Sequence, residues 1–492
     1  MPEFNKSLLA GLLLIASEVH GQSVATSAAS AAACSSTITP KNAQPSVAPG
    51  WTVQVIASGL KDPRGIIFDS SGHLLVVQQG HGISSLSLTN DAGACVRAEG
   101  APKDIIVDSE LNHGIELSPD GKTLYASSTQ AVYSWDYDAA ETRNTSEPKE
   151  LIGQMGAANG HVTRTILLLR KTEGMLLVSR GSQSNLDVAA QDISTGVSTI
   201  KAFNVTNVTD SAYSHPRDGL LLGWGLRNSV GIAEDPATGA IYSVENSVDE
   251  FTREGQNIHQ NNPGEELNFH GYLNGTSVEE QGQNYGYPSC FAAWNVSSIP
   301  SNGGVQVGTQ VAIGDQNATI NDTFCRQEHV APRLTFPAHM APLDMKFNSN
   351  GTAAWVTFHG SWDRTEPIGY KLSVIQFVNG SPVAAANSTT STVDVVSNAD
   401  LSKCPDDCFR PVGLAWDSQG RLFMSSDSTG EIYVVVPTHG NANEASPSSG
   451  LPPSATGTAP SAASSTGSAV RGYGKAGSWT ALFAALLALP LI

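Results

Sequence analysis

Six polar residues recur at the same place in a repeated plan along this chain. Arg64, His113, Arg164, Arg227, His339 and Arg410 each stand at, or just ahead of, the start of an apolar run. Guanidinium groups gathered at one place suit an anionic or carbonyl-rich ligand, because their planar fork engages carboxylates two bonds at a time. Two imidazoles among them can take or give a proton near neutral pH. A single histidine in a strand is ordinarily a satisfied structural residue, and an arginine at a strand start can cap its neighbour. Six such residues in one repeat phase point instead to a shared site.

The elements that would position them are strand pairs. Six segments run polar residue, apolar strand, Asp/Gly-type turn, second apolar strand, polar residues: RGIIFDSSGHLLVVQQ from Arg64, HGIELSPDGKTLYASS from His113, RTILLLRKTEGMLLVSR from Arg164, RNSVGIAEDPATGAIYSVEN from Arg227, HMAPLDMKFNSNGTAAWVTFHG from His339 and RPVGLAWDSQGRLFMSSD from Arg410. Their turns carry hairpin chemistry. Unit starts lie about 50 to 110 residues apart, room for a further strand pair in each unit. Four strands repeated six times predict an all-β, six-bladed β-propeller, in which radial repetition leaves few exposed edges. The widest gap, about residues 251–335 between units four and five, reads as a loop-rich insertion between blades four and five. The first strand of each blade lines the channel, so the six polar residues are expected to converge on one axial mouth.

Composition narrows the function classes. Charged residues are 15% of the 492 and glycine numbers 47, which fits short strands and tight turns. A formal charge of −18 argues against nucleic acid, whose phosphates need Lys and Arg. Residues 1–21 read as a signal peptide, with Lys6 ahead of the apolar run Leu8–Ala16. Residues 438–468 read as a Ser/Pro/Gly-rich linker without a core, and 469–492 as a glycosylphosphatidylinositol (GPI) attachment signal that is removed. Ten Asn-x-Ser/Thr sequons, from Asn144 to Asn387, predict a secreted glycoprotein. Six cysteines predict three disulfides; fifteen connectivities are open, and sequential pairing (Cys34–Cys95, Cys290–Cys325, Cys404–Cys408) is the expectation. No ligand spacing supports zinc.

The pieces Asn112-His-Gly114, Gly225-Leu-Arg-Asn-Ser-Val-Gly231, Asn284-Tyr-Gly-Tyr-Pro288 and His359-Gly-Ser-Trp-Asp-Arg364 stand in the order found in quinoprotein sugar dehydrogenases. Over about residues 45–437 the chain resembles fungal pyrroloquinoline quinone (PQQ)-dependent pyranose dehydrogenases, relatives of the soluble glucose and sorbosone dehydrogenases. The resemblance implies PQQ, a tricarboxylate quinone, held by Arg64, His113, Arg227, Asn228, His359, Arg364 and Arg410. It implies His113 as general base, with Arg227 and Asn228 at the reactive carbonyl. It implies Ca²⁺ at the carbonyls of Gly286, Tyr287 and Pro288. A monosaccharide substrate, a separate extracellular electron acceptor such as a haem protein or copper oxygenase, and a cell-surface monomer anchored only through GPI complete the expectation. His339 and Arg164 are left without a role. In the bacterial glucose enzymes a Lys stands in the blade that here carries His359 to Arg364, so the contacts at the cofactor's rim are expected to differ. Two other readings remain for the same propeller, a calcium-dependent lactonase- or strictosidine-synthase-like enzyme and a non-catalytic glycan-binding surface protein.

Overall fold

Alternating apolar residues around Asp/Gly turns fold as the hairpins that the sequence predicts. The computed structural model describes Cys34 and residues 37–89, 91–156, 159–208 and 211–443. The expected signal peptide, the linker beyond Asn443 and the attachment signal lie outside the described residues.

Six four-stranded antiparallel blades follow one another along the chain. The first is Pro63–Phe68, Leu74–Gln78, Gly82–Leu88 and Ala98–Val107, and the second is Leu111–Leu117, Thr123–Ser128, Val132–Asp138 and Lys149–Gly153. The third is Ile166–Leu168, Met175–Arg180, Thr199–Asn204 and Leu220–Trp224, and the fourth is Ser229–Glu234, Ile241–Glu245, Glu265–Phe269 and Leu334–Phe336. The fifth is Pro342–Phe347, Ala353–Phe358, Lys371–Val378 and Val393–Ser397. The sixth takes Pro411–Trp416, Leu422–Ser426 and Glu431–Pro437 from the end of the chain and its outermost strand, Trp51–Ala57, from the beginning. That antiparallel pairing, with Trp51 opposite Pro437, closes the ring and removes an edge.

The sheet pairing refines the place of the insertion. It lies between the starts of units four and five, but inside the fourth blade, between Glu265–Phe269 and the outermost strand Leu334–Phe336, rather than between two blades. It carries the hairpin Cys290–Ala292/Gln310–Ala312 and a short helix, Asp322–Glu328. The Cys290–Cys325 disulfide and the buried two-bond pair of Arg253 with Asp322 (2.7 and 2.8 Å) tie these together. Cys34–Cys95 and Cys404–Cys408 form the other two disulfides, so the pairing is sequential.

The apolar core lies between blades. Each of the six blade interfaces has its own buried cluster, such as Leu75, Val77, Leu124 and Trp135 between the first two blades. At the axis a polar relay takes over. The amide of Gly114 donates to Ser127 Oγ (3.0 Å), and Ser127 Oγ donates to the Arg164 carbonyl of the next blade (2.5 Å). Asp344, Thr357 and Val412 repeat this between blades five and six (2.9 and 2.7 Å). Gly413, Ser425 and Arg64 repeat it between blades six and one (2.8 and 2.6 Å). The approach is close: a Cβ on Gly413 would stand 2.4 Å from the Arg64 carbonyl.

Ser425→Ala removes one relay and leaves the Gly413 amide and the Arg64 carbonyl buried without it. Denaturant unfolding is expected to show a loss of about 1–3 kcal/mol, and an unchanged midpoint would show that the relay adds nothing.

Candidate active site

The starts of the inner strands and the ends of the second strands open on the same mouth, because each hairpin returns the chain to where it began. There they enclose a cavity of about 220 Å³. Of the six repeat-phased residues, Arg227, His339 and Arg410 line it, as do Asn228 and His359. Arg64, His113, Arg164, Arg364 and the turn Gly286–Pro288 are not in its lining.

Arg227 is 3% exposed, and four of its five guanidinium hydrogens are engaged. Its guanidinium donates to Asp249 Oδ2 (2.7 Å), to Asn185 Oδ1 (2.7 Å) and to the carbonyls of Asn185 and Asn246. Beside it stands His161, which the repeat pattern passes over. Gly181 permits that meeting: a Cβ there would lie 2.6 Å from Asn228 Oδ1 and 2.8 Å from His161 Cβ. The tautomer of His161 follows from its partners. Ser182 Oγ gives its hydrogen to the Ser184 carbonyl (2.8 Å) and faces His161 Nδ1 at 2.9 Å, with the Ser182 carbonyl at 3.1 Å. Both partners can only accept, so Nδ1 carries the hydrogen and Nε2 the lone pair. Burial, then the charge of Arg227, pushes this imidazole down to about 3, so it stays neutral.

Arg164 explains how His161 is held. Its buried guanidinium turns back to the carbonyls of His161 (2.7 Å) and Thr163 (2.9 Å), while its own carbonyl occupies the relay. Blade three therefore offers the cavity a residue three places ahead of the expected one. His113 sits on the second inner strand, 4% exposed, with Nδ1 unpaired. Burial, then Arg64, lowers its pKa well below the usual histidine value.

A second network joins blades one, five and six. Asp427 accepts from Arg64 Nη1 (2.5 Å) and from His359 Nε2 (2.9 Å), and Arg410 donates to the carbonyls of His359 and Gly360. Burial alone would raise the Asp427 carboxyl, but His359 and Arg64 hold it below the usual range. Arg364 instead clasps its own loop, donating to the carbonyls of Gln260 and Glu366. The turn at Gly286–Pro288 braces the site from behind. Tyr287 Oη meets the Asp187 amide (2.7 Å) and the carbonyls of Ser184 and Asn185, and Asn185 holds Arg227. The Gly286 carbonyl is already taken by the amides of Ser289 (3.0 Å) and Cys290 (2.8 Å).

The acidic residues of blade four divide by task. Glu245 accepts from the Arg227 amide, and Glu265 from the amides of Ser247 and Ala341, so these buried carboxyls position the site loops. Burial raises Glu265 to about 8 and Glu266 to about 7. His339 and Ala341 hold left-handed backbone, with φ of 66° and 53°, strain of the kind found where a site demands it. His339 Nε2 meets the His259 carbonyl (2.6 Å) and so carries hydrogen, leaving an Nδ1 lone pair 3.2 Å from Asp363 Oδ1. Among the described residues neither Asp363 oxygen has a hydrogen-bond donor. With Asp249, their ligating atoms lie within 4.8 Å of one another, an arrangement that a cation or a proton between them would satisfy.

A larger cavity of about 630 Å³ opens at the far ends of the inner strands, lined by apolar side chains with Glu116, Arg170 and Lys346. It gathers neither the histidines nor the guanidinium groups of the first mouth.

The chain matches the TrAA12-like family over residues 45–438. It is 46% identical over 405 residues to a pyrroloquinoline quinone-dependent sugar dehydrogenase of Hypocrea jecorina (strain QM6a), covering 81% of this chain and 91% of that one. It is 37% identical over 409 residues to a pyrroloquinoline quinone-dependent pyranose dehydrogenase of Coprinopsis cinerea, covering 80% of this chain and 54% of that one. The calcium structure of a Trichoderma reesei carbohydrate-active enzyme of family AA12 superposes with a TM-score of 0.79 at 44% identity, covering 82% of this chain and 100% of that one.

Two groups of buried ionisable residues set opposite pH limits. His161 and His270, both pushed down to about 3 from 6.5 by burial first, bind fewer protons folded than unfolded, so stability falls as pH drops below 6.5. Glu265 and Glu266, raised from 4.5, bind more protons folded, so stability falls as pH rises from 4.5 toward 8. The melting temperature is expected to peak between pH 4.5 and 6.5, and Glu265→Gln to flatten the alkaline limb. A monotonic profile from pH 4 to 8 would contradict this. Gly181→Ala is expected to part His161 from Asn228 and cut turnover by about 100-fold, read by steady-state kinetics on protein of unchanged fold.

Proposed function

The chain belongs to the TrAA12-like family, and we propose that it is an oxidoreductase that oxidises a pyranose sugar at a CH–OH carbon with PQQ as cofactor. One observation carries this reading: His161, Arg227 and Asn228 meet at one wall of a cavity whose remaining walls separate cations from carboxylates. The family assignment sets aside the lactonase-like and non-catalytic readings.

The residues fit both groups. Arg410, with His359 and Arg64 joined through Asp427 behind it, offers positive charge to a tricarboxylate. Asp249 and Asp363 supply the hard oxygens that calcium takes, and Asp363 has no donor among the described residues. We place calcium there rather than on the turn Gly286–Pro288, whose first carbonyl is spent on amides. Bound in this cavity, the quinone supplies a two-electron acceptor for hydride, and calcium a Lewis acid.

The protein's own part is positioning and proton transfer. His161 Nε2 takes the sugar hydroxyl proton, because Ser182 fixes the tautomer and burial, then the charge of Arg227, keeps the ring neutral. We therefore assign the base to His161 in place of His113, which lies outside the cavity lining. Arg227 and Asn228 steady the negative charge that develops beside it. Arg164 is a positioning residue for His161. We further propose that the chain works outside the cell as a GPI-anchored, glycosylated monomer that passes electrons to a separate acceptor. The three disulfides support an oxidising compartment.

The test mixes purified apoprotein with PQQ and Ca²⁺ and follows dye reduction with a panel of monosaccharides. His161→Ala is expected to lower kcat by about 10²–10⁴-fold, and His113→Ala to retain turnover. No quinone binding at micromolar PQQ would sink the cofactor reading. Full turnover in His161→Ala would return the base to another residue.

A further inference from the structure

We propose that Trp362 is the platform on which the sugar ring stacks as it enters the cavity, which makes it a specificity-determining residue. This rests on the sugar-oxidising reading above. Trp362 is 66% exposed, the only exposed Phe, Tyr or Trp among the described residues, and it stands in the wall of the cavity. An isolated exposed apolar residue is ordinary on a protein surface. An exposed indole on the rim of a polar cavity is not.

The loop that carries it is clamped from both sides. Arg410 Nη2 donates to the Gly360 carbonyl (2.7 Å), the Ser361 amide to the Ile368 carbonyl (2.9 Å), and Tyr370 Oη to the Ser361 carbonyl. Beyond the indole, the Thr365 amide donates to Gln260 Oε1 (3.0 Å), and Arg364 binds the Gln260 carbonyl. These bonds hold the backbone on both sides of Trp362, so the indole is carried at the rim by a fixed loop.

Depth and chemistry choose the occupant. The cationic groups lie deeper than the indole: Arg227, 3% exposed, and the half-buried Arg410 line the cavity, with Arg64 joined to Asp427 behind them. An anionic cofactor is therefore drawn to the bottom, and the ligand that arrives last meets the rim. The face of an indole is electron-rich and disfavours carboxylates, whereas the C–H face of a pyranose ring is weakly positive and flat enough to lie on it. Stacking on one face leaves the hydroxyl edge free to turn toward His161.

The test measures sugar and cofactor separately. Trp362→Ala is expected to raise KM for the preferred monosaccharide by about tenfold, with saturating kcat and the PQQ titration of the protein unchanged. Trp362→Phe, which keeps a flat ring, is expected to recover most of the loss. Sugar titration of the PQQ-loaded wild type should shift tryptophan fluorescence, and the shift should vanish in Trp362→Phe. Unchanged KM in Trp362→Ala with a normal melting temperature would overturn the proposal. So would weakened PQQ binding as the main effect, which would give the indole to the cofactor, or a change confined to the electron acceptor's KM. A wild type that neither binds PQQ nor oxidises any sugar would instead defeat the functional reading beneath it.

Discussion

The fold depends on how one inner strand meets the next around the axis. Inner strands cannot pair with each other as a sheet, so their amides and carbonyls would be left buried without partners. At three of the six interfaces a relay from amide to hydroxyl to neighbouring carbonyl, through Ser127, Thr357 and Ser425, answers that need with one small side chain each. Its geometry holds the blades at hydrogen-bond distance and allows no bulk at Gly114 or Gly413. The apolar clusters stabilise the blades pairwise, and at these three interfaces the relay fixes how closely one inner strand approaches the next.

On that ring the fourth blade is the specialised one. Its insertion braces the loop that holds Arg227, and its buried glutamates tie down the loops carrying Asp249 and His339. Protonated or shared, such carboxyls act as acceptors for backbone amides without adding full negative charge to the cavity. Their cost is desolvation, visible in the raised values of Glu265 and Glu266. The strained backbone at His339 and Ala341 is held by the same contacts.

Charge is partitioned across the cavity. Arg64, His359 and Arg410 gather on the side of blades five, six and one, with Asp427 compensating them from behind. Asp249 and Asp363 face each other with His339. His161, kept neutral beside Arg227, stands where a proton can be taken without a competing positive charge on the ring. The separation gives one small space a cationic side, a pair of carboxylates and a neutral imidazole.

How much of this was legible in the residues follows from what each feature needs. The six-bladed fold was, because strand periodicity and turn chemistry are local and repeat. The convergence of polar strand starts was too, since it follows from repeat phase, and of those six Arg227, His339 and Arg410 line the cavity, whereas Asn228 and His359 were named only through the resemblance. Tertiary structure decided which of those side chains reach the cavity. Arg164 keeps its phase yet turns back to hold His161, and His113 stays on the inner strand outside the cavity lining. Asp427 and Asp249 follow the second strands of their blades, a return to the mouth that an antiparallel hairpin guarantees and that a rule based on first strands overlooks. Closure by Trp51–Ala57 and the bracing role of Tyr287 join residues far apart in sequence, so no local pattern announces them. By itself the sequence determined the ring and the kind of charge at its mouth. Only the packing around the axis decided which groups touch, because side-chain direction depends on neighbours that the chain supplies from other blades.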